Sequence, residues 1–404
     1  MKTAIRIISL LPLFIVANSC KPDKDKDPAA YLQQVLTGLE KIESATYYEH
    51  KEVWQPGDTV AANSFCDFVK EYNNPSDTTI GAAYMSFDCE DSTKMKFGYD
   101  GNVRALIYQH KQEVVIDDFT ARPLPLRPLS PPFFNYAKNI INYLLTTKDS
   151  IDYNLTDTGD HYYLKLAIHE DKQVEFFGKA HYIPNNPFDT GEKTSIYELW
   201  IAKSDNLPYK VRREMSHNIS VATCSKVELN KLSIGDLNIF ACFPAGYEIK
   251  NYGDIGEEKT KSALIGKKAP DWVLNDKDEN SISLASFKGK VLLIQFTGIG
   301  CGPCVASIPF LKQLKEKHNN DDFDIVAIET WVQKSHSLQN YSNKNGLNYT
   351  LLNATDKVIK DYQTGRSAPI FFIVDKQQNI RKIMNGYNEE ITDKEITTAI
   401  SDLL

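Results

Sequence analysis

Residues 291–318 read VLLIQFTGIGCGPCVASIPFLKQLKEKH and combine three signals in one stretch. The first six residues are a near-continuous apolar run, which is typical of a buried strand. An amphipathic helix is predicted over roughly Val305 to His318. Between them, Cys301 and Cys304 stand where the helix begins, and there the free backbone N–H groups and the helix dipole favour a thiolate. The stretch therefore predicts a redox-active pair of cysteines between a strand and a helix.

Two further apolar runs complete an α/β pattern around this stretch. FDIVAI occupies residues 323–328 and IFFIV occupies residues 370–374, and segments with helical patterns separate the runs. Strands that are covered by helices on both faces of a sheet have this near-continuous apolar character. We therefore expect an α/β domain over residues 265–404.

The two cysteines predict thiol-disulfide exchange. We expect Cys301 to attack a substrate disulfide, and Cys304 to resolve the mixed disulfide by attacking Cys301. The alternative is half of a zinc site, which would need two more Cys or His ligands. After residue 265 the chain has no further cysteine, and its only histidines, His318 and His336, are widely separated. Redox chemistry is the favoured interpretation, and no metal or other cofactor is expected.

Residues 265–404 resemble the thioredoxin-like disulfide reductases of the TlpA and ResA type. The resemblance rests on IGKKAPD (265–271), on SLASFKGK (283–290) before the central strand, and on Pro309 within the helix. It implies a thioredoxin-like fold with a central mixed sheet flanked by helices. It also implies that the activity is that of a thiol-disulfide oxidoreductase.

The resemblance assigns a substrate site to Ala368 and Pro369. In this fold a cis-proline faces the dithiol, and the backbone of the preceding residue binds an extended substrate in the manner of strand addition. The alternative is a proline that only starts the following strand. Gly302 and Pro303 between the cysteines resemble thioredoxin itself, which is reducing. We therefore expect reduction or isomerisation of protein disulfides rather than net oxidation.

The sequence departs from the family around the dithiol. Gly300 replaces the usual tryptophan, which predicts a flexible and less shielded approach. Gln295 stands where many thioredoxins bury an aspartate, and Ser307 stands where ResA-like members carry a glutamate. The proton of Cys304 would then pass to water or to Glu329. For Glu329 the favoured interpretation is a solvated carboxylate at the end of a strand.

The first half of the chain predicts a separate domain over residues 29–250, rich in antiparallel strands. Seventeen of the 21 tyrosines lie in residues 1–264, together with most of the alternating apolar and polar runs. A helix near residues 29–44 and the segment YELWIAKSDNLPYKV (197–211) resemble the LolA-like lipoprotein carrier fold. That resemblance implies an unclosed barrel around helices, with a concave face for a lipid or peptide. Residues 251–264 are the expected linker.

Local patterns in this half predict one more helix and three hairpins. The helix is expected near residues 135–145. The hairpins are expected to pair 64–72 with 82–89, 151–154 with 162–169, and 196–202 with 209–215, because turn-forming residues separate the members of each pair.

Two rival functions stay open. The first is a lipid or peptide carrier that acts through the N-terminal domain and needs no dithiol. The second is a thiol peroxidase of the peroxiredoxin class, which places Thr or Ser three residues before its reactive cysteine. Gly298 occupies that position before Cys301, so the peroxidase is disfavoured.

Residues 1–20 have the pattern of a bacterial secretion signal, with a basic start and an apolar stretch too short to span a bilayer. Cys20 resembles the lipidated cysteine of a lipoprotein, and an ordinary signal peptide with a coincidental cysteine is the alternative. Residues 21–28, which are all charged residues and prolines, would form a tether. We therefore expect a lipid-anchored envelope protein that faces the periplasm or the cell surface. Its expected partners are disulfide-containing envelope proteins and, from the resemblance, a DsbD-like membrane electron donor.

Composition limits the remaining possibilities. The net charge of −7 and the pI near 5.7 give no basic surface, so nucleic acid is not an expected partner. Seven cysteines cannot all pair internally. Beyond Cys20 and the dithiol, we predict the pairs Cys66 with Cys89 and Cys224 with Cys242, because each pair is centred on a turn. Four buried free thiols are the alternative.

Overall fold

The structure is a computed structural model that describes residues 27–109, 111–121, 129–183, 195–216, 218–252, 263–318, 322–332, 334–365 and 367–404. The predicted signal with Cys20, most of the tether, and residues 253–262 of the linker lie outside the described residues. Within the described ranges, no helix is both long and apolar enough to cross a membrane. We refer to residues 27–252 as the N-terminal body and to residues 263–404 as the C-terminal body.

The N-terminal body is a large, mainly antiparallel sheet packed against two helices, α1 (Pro28–Glu40) and α2 (Phe133–Thr146). Its strands are β1 (Ser44–Trp54), β2 (Asn63–Asn73), β3 (Ala82–Asp88), β4 (Met95–Tyr99), β5 (Arg104–Tyr108), β6 (Glu113–Asp117), β7 (Ile151–Asp157), β8 (His161–Ile168), β9 (Gln173–Phe176), β10 (Ala180–Ile183), β11 (Ser195–Ala202), β12 (Pro208–Met215), β13 (Ile219–Leu229) and β14 (Glu248–Asn251).

Twelve of these strands form one sheet in the order β14-β6-β5-β4-β3-β2-β1-β13-β12-β11-β8-β7, and β9 and β10 form a separate hairpin. All pairs in the large sheet are antiparallel except β14 with β6. Among the described strands β14 and β7 do not pair with each other, so the sheet is not a closed barrel. The predicted β-rich fold class, the second helix and the three hairpins are confirmed.

The two helices pack against this sheet and form a core with it. Leu32, Val35 and Leu39 recur at helical spacing on α1 and are buried with Ile140 of α2 against Tyr197 of the sheet. The opening helix ends at Glu40, earlier than predicted, because the chain enters β1 at Ser44.

A buried carboxylate fixes the start of α2. The N-cap residue, Pro132, makes no side-chain hydrogen bond to the free N–H groups at the start of the helix. Glu71 instead accepts hydrogen bonds from the backbone N–H groups of Phe134 (3.1 Å) and Asn135 (2.7 Å) and from the hydroxyl of Tyr47 (2.8 Å). Burial raises the pKa of Glu71 to about 7.

The cysteines of the N-terminal body divide into one bonded pair and two free thiols. Cys66 of β2 and Cys89, just after β3, form a disulfide with a Cα–Cα distance of 5.7 Å. The predicted pairing of Cys224 with Cys242 is wrong, since both are free. After β13 the chain leaves the sheet instead of turning back as a hairpin. Cys224 therefore lies in the core with α1 and α2, and Cys242 lies in a 3₁₀ turn that packs on a different cluster.

The C-terminal body has a five-stranded sheet between helices. Its elements are β15 (Val273–Asn275), β16 (Ser281–Ser283), β17 (Val291–Thr297), α3 (Gly302–Lys317), β18 (Phe323–Glu329), α4 (Ser335–Asn345), β19 (Thr350–Asn353), α5 (Asp356–Asp361), β20 (Ile370–Val374), β21 (Ile380–Asn385) and α6 (Glu389–Ser401). The sheet order is β19-β18-β17-β20-β21. Strands β17, β18 and β19 are parallel, β20 is antiparallel to β17, and β21 is antiparallel to β20 and so runs in the same direction as β17.

The central strand β17 is buried along its whole length, as its apolar sequence predicts. Leu293 faces a cluster formed with α3, α4 and α6, and Leu292 and Ile294 face a second cluster that includes α5. The thioredoxin-like mixed sheet between helices is thereby confirmed. Its arrangement brings the end of β17 directly to the start of α3, where the two cysteines lie.

Candidate active site

Cys301 and Cys304 form a disulfide at the first turn of α3, with a Cα–Cα distance of 5.3 Å. Cys301 is the N-cap residue, and its Sγ accepts a hydrogen bond from the backbone N–H of Cys304 at 3.3 Å. This is the position where free N–H groups and the helix dipole stabilise a negative sulfur. Both side chains are buried, with 3% of Cys301 and 1% of Cys304 exposed.

The sheet topology places Pro369 at the same end of the sheet as the dithiol. Phe296, near the end of β17, pairs with Ile370, the first residue of β20. Pro369 directly precedes Ile370, and the Ala368–Pro369 peptide bond is cis. The two candidate sites from the sequence, the dithiol and the Ala368–Pro369 pair, therefore occupy one end of the sheet.

Two neutral side chains occupy the positions where the family has carboxyl groups. Gln295 is 1% exposed, and its Nε2 donates to Oγ of Ser307 at 2.9 Å. The hydroxyl of Ser307 donates in turn to the backbone carbonyl of Cys304 at 2.7 Å. The two departures are thus partners in one buried hydrogen-bonded chain that ends at the second cysteine. This chain contains no titratable group.

Glu329 is buried, so its interpretation as a solvated carboxylate is wrong. It ends β18, and none of its side chain is exposed. One carboxyl oxygen accepts from the backbone N–H of Ile299 at 2.6 Å, and the other accepts from the N–H groups of Trp331 (2.6 Å) and Val332 (2.8 Å). Burial raises the pKa of Glu329 to about 7. The carboxyl group therefore joins the turn before Cys301 to the loop after β18.

Trp331 packs on the turn that precedes the dithiol. A Cβ atom on Gly298 would lie 2.4 Å from Cδ2 of the Trp331 ring, so only glycine allows this close approach. The indole is 40% exposed and forms part of the surface there. The sequence prediction missed Trp331. The available signal was its position two residues after β18, which runs parallel to β17 and therefore ends beside the turn before the dithiol.

A loop of the N-terminal body also contacts this region. We call residues 55–62, between β1 and β2, the β1–β2 loop. Gln55 is 7% exposed, and its Nε2 lies 3.9 Å from where a Cβ atom of Gly300 would stand. Asp58 accepts a hydrogen bond from the side-chain amide of Asn340 on α4 at 2.7 Å. The predicted open approach at Gly300 is thus occupied from another part of the chain.

Comparisons with known proteins concern the C-terminal body. A family model described as Redoxin matches residues 264–400. The thiol-disulfide oxidoreductase ResA of Geobacillus thermodenitrificans is 29% identical over 142 residues, which is 35% of this chain and 79% of that protein. ResA of Bacillus subtilis is 27% identical over 152 residues, covering 38% of this chain and 82% of that protein.

Solved structures with similarity cover the same third of the chain. A putative thiol-disulfide oxidoreductase from Bacteroides vulgatus is 28% identical, with a TM-score of 0.32, over 35% of this chain and 99% of that one. A putative protein disulfide isomerase from Bacteroides thetaiotaomicron is 27% identical, with a TM-score of 0.31, over 35% of this chain and 89% of that one.

The sequence motifs, the thioredoxin-like sheet and the ResA relatives agree. Residues 264–400 match a Redoxin domain, and the C-terminal body is similar to the thioredoxin-like thiol-disulfide oxidoreductases of the TlpA and ResA type.

Proposed function

We propose that this protein reduces or isomerises disulfides of envelope proteins through Cys301 and Cys304. The observation that carries the proposal is the Cys301–Cys304 pair at the N-terminus of α3, at the end of the sheet where Pro369 also lies. The ResA relatives are named for the same class of reaction.

The reaction follows from the order of the two cysteines on the helix. In the reduced protein the Cys301 thiolate attacks one sulfur of a substrate disulfide, so a Cys301–substrate bond forms and the other substrate sulfur leaves as a thiolate. Cys304 then loses its proton and attacks Sγ of Cys301, which releases the second substrate thiolate. Two electrons pass to the substrate, and the Cys301–Cys304 disulfide is left.

The proton of Cys304 has no carboxylate of the family pattern to receive it. Ser307 already donates its hydroxyl proton to the Cys304 carbonyl, and Gln295 is an amide. Glu329 bonds the Ile299 N–H. We infer that the departing substrate thiolate or water takes the proton. The resolving step would then depend on the substrate already bound as a mixed disulfide.

Substrate binding, compartment and electron supply complete the proposal. Ala368 would present its backbone to an extended substrate segment beside the dithiol. The signal-like residues 1–20 and Cys20 support an envelope protein held by a lipid, where a DsbD-like membrane reductase would restore the dithiol. An oxidising compartment of this kind also permits the Cys66–Cys89 disulfide.

A carrier would need a ligand cavity, and the space between the helices and the sheet does not supply one, although grooves of about 450 Å³ beside Phe87 and Phe243 and about 260 Å³ beside Tyr84 and Leu129 lie elsewhere on this body. The buried side chains of α1 and α2 fill the inner face of the sheet. Between these helices and β2, the residues that include Leu39 and Phe134 enclose a cavity of only about 10 Å³. That volume is far below the roughly 300 Å³ of a small-molecule pocket.

Trapping of partners tests the proposal. Full-length Cys304→Ser should accumulate mixed disulfides with envelope proteins, whereas Cys301→Ser should accumulate none. The reduction potential tests the direction, because a value near the strongly oxidising DsbA type, about −120 mV, would overturn the reductase assignment. Equal trapping by the two variants would overturn the mechanism.

A further inference from the structure

We propose that the β1–β2 loop is a lid on the dithiol, so that a thiol or disulfide of another protein reaches Cys301 only when the loop moves away. The inference concerns regulation of the proposed oxidoreductase site and rests on that function for its biological meaning. Its physical content, the accessibility of the Cys301 sulfur, can be measured without any substrate.

The first observation is the burial of the attacking residue. Thiol-disulfide exchange requires direct approach of one sulfur to another, and the rate depends on access. Cys301 is only 3% exposed and Cys304 is 1% exposed. In this arrangement almost none of the Cys301 surface is open to a sulfur of a folded protein substrate.

The second observation is the position of the two ends of the loop. At one end, Gln55 lies against Gly300, the residue directly before Cys301. At the other end, Ala62 is 5% exposed and belongs to the same cluster of buried apolar side chains as Ile299 and Val332. The N-terminal body therefore contributes Gln55 beside Gly300 and Ala62 to the apolar cluster that includes Ile299 of the same turn.

Apart from the buried Ala62, the contacts that hold the loop are polar and close to the surface. Asp58 accepts from the Asn340 amide at 2.7 Å, and its other carboxyl oxygen accepts from the backbone N–H of Gln55 at 2.9 Å. Lys334, which is exposed, donates to the backbone carbonyl of Ala61. Bonds of this kind are readily exchanged for bonds to water. Opening the loop therefore costs these exchangeable bonds and the burial of one small side chain, Ala62, while the large side chains of both cores stay packed.

The glycine before Cys301 fits this arrangement. The side chain of Gln55 lies at ordinary contact distance from the place of a Gly300 Cβ, so a longer side chain at residue 300 would meet it. Gly300 also has a φ of +89°, which glycine adopts without strain. The position that appears unshielded in the sequence is shielded here by another segment of the same chain.

The test compares the full-length protein with a variant in which residues 55–62 are replaced by Asn-Gly. Val53 and Asn63 remain paired in that variant, joined by a three-residue loop that ends in glycine, a common hairpin connection. Cys301–Cys304 in the oxidised protein is reduced with dithiothreitol or with a thiol-terminated polyethylene glycol. Acid quenching, alkylation and peptide mass spectrometry then report this disulfide separately from Cys66–Cys89.

We expect the rate constant with the polymer thiol to rise about tenfold in the variant, since the rate follows the fraction of open molecules. The rate with dithiothreitol should rise less. Asn340→Ala with Lys334→Ala weakens the closed state without shortening the chain, and should give a smaller rise in the same direction. Asn343→Ala with Lys357→Ala is the matched control on exposed positions and should leave both rates unchanged.

Unchanged polymer rates in both the loop variant and the Asn340→Ala, Lys334→Ala protein would overturn the lid. If the loop variant does not fold, the double substitution alone decides. Insulin reduction separates the two proposals. In one outcome the polymer thiol reacts faster with the variants, but neither they nor the wild type reduce insulin. That outcome supports the lid and contradicts the proposed function. In the other outcome the wild type reduces insulin, but the polymer thiol reacts with the variants no faster than with the wild type. That outcome supports the proposed function and contradicts the lid.

Discussion

The two disulfides of the described residues have similar Cα–Cα distances but close chain loops of very different length. The Cα–Cα distances are 5.7 Å for Cys66–Cys89 and 5.3 Å for Cys301–Cys304, but the sequence separations are 23 and 3. Closing the longer loop restricts the unfolded chain by about 3 kcal/mol, and closing the shorter one by roughly half as much. Sequence separation therefore predicts that the first disulfide stabilises its fold about twice as much as the second, which must open and close during the proposed reaction.

The two disulfides should differ most in their effect on activity. Cys301→Ser removes the attacking sulfur and should lower insulin reduction by roughly a thousandfold or more. Cys66→Ser with Cys89→Ser should leave the rate within about twofold, because that disulfide bonds β2 to the end of β3 and no step uses it. A comparable loss from both changes would mean that the first disulfide also exchanges electrons.

Stability should show the reverse order. Cys66→Ser with Cys89→Ser should lower the free energy of unfolding of the N-terminal body by about 3 kcal/mol. Cys301→Ser with Cys304→Ser should lower that of the C-terminal body by roughly half as much. Urea unfolding followed by hydrogen exchange of peptides from each body measures both values. A larger loss from the second double variant would contradict the distinction.

A smaller expected effect is a dependence of the stability of the C-terminal body on pH, through Glu329 below the turn that carries the dithiol. The pKa of Glu329 is raised from 4.5 to about 7, so the folded protein holds this proton more tightly than the unfolded chain does. The stabilisation is fully present below about pH 4.5 and is lost as the pH rises through 7. Between pH 5 and pH 7 this group should cost the C-terminal body about 2 kcal/mol of stability.

Glu329→Gln should flatten this pH dependence, since glutamine does not ionise. Urea unfolding at pH 5, 6, 7 and 8 measures the slope. Glu71→Gln is the matched variant, because Glu71 is equally buried, has a pKa of about 7 and accepts backbone N–H groups in the N-terminal body. Each substitution should flatten only the transition of its own body. An unchanged slope in Glu329→Gln would contradict the assignment.

Local patterns predicted much of the fold. The apolar runs became β17, β18 and β20, and the turn-rich segments became hairpins, because both signals depend on neighbours in sequence. The same reasoning failed for Cys224 and Cys242, whose symmetric spacing suggested a hairpin. The chain instead leaves the sheet after β13, and that departure depends on packing between distant segments.

The candidate site was predicted only in part, for a related reason. The dithiol is visible as a motif, but Gln295 and Ser307 are twelve residues apart and their hydrogen bond appears only when α3 packs on β17. Glu329 appeared solvated because it ends a strand, whereas the neighbouring parallel strand places the Ile299 turn over it. Gln55 lies some 245 residues before Gly300, and no local pattern connects them.

The open sheet of the N-terminal body also bears on self-association. A sheet that does not close leaves edge strands whose free N–H and C=O groups can pair with another molecule. At one edge, β7 carries Asp152, which is hydrogen-bonded to His169, and Asp157, which forms an ion pair with Lys203. Charged side chains on an edge strand discourage intermolecular pairing and aggregation. This body can therefore keep an incomplete barrel without recruiting a second chain to finish it.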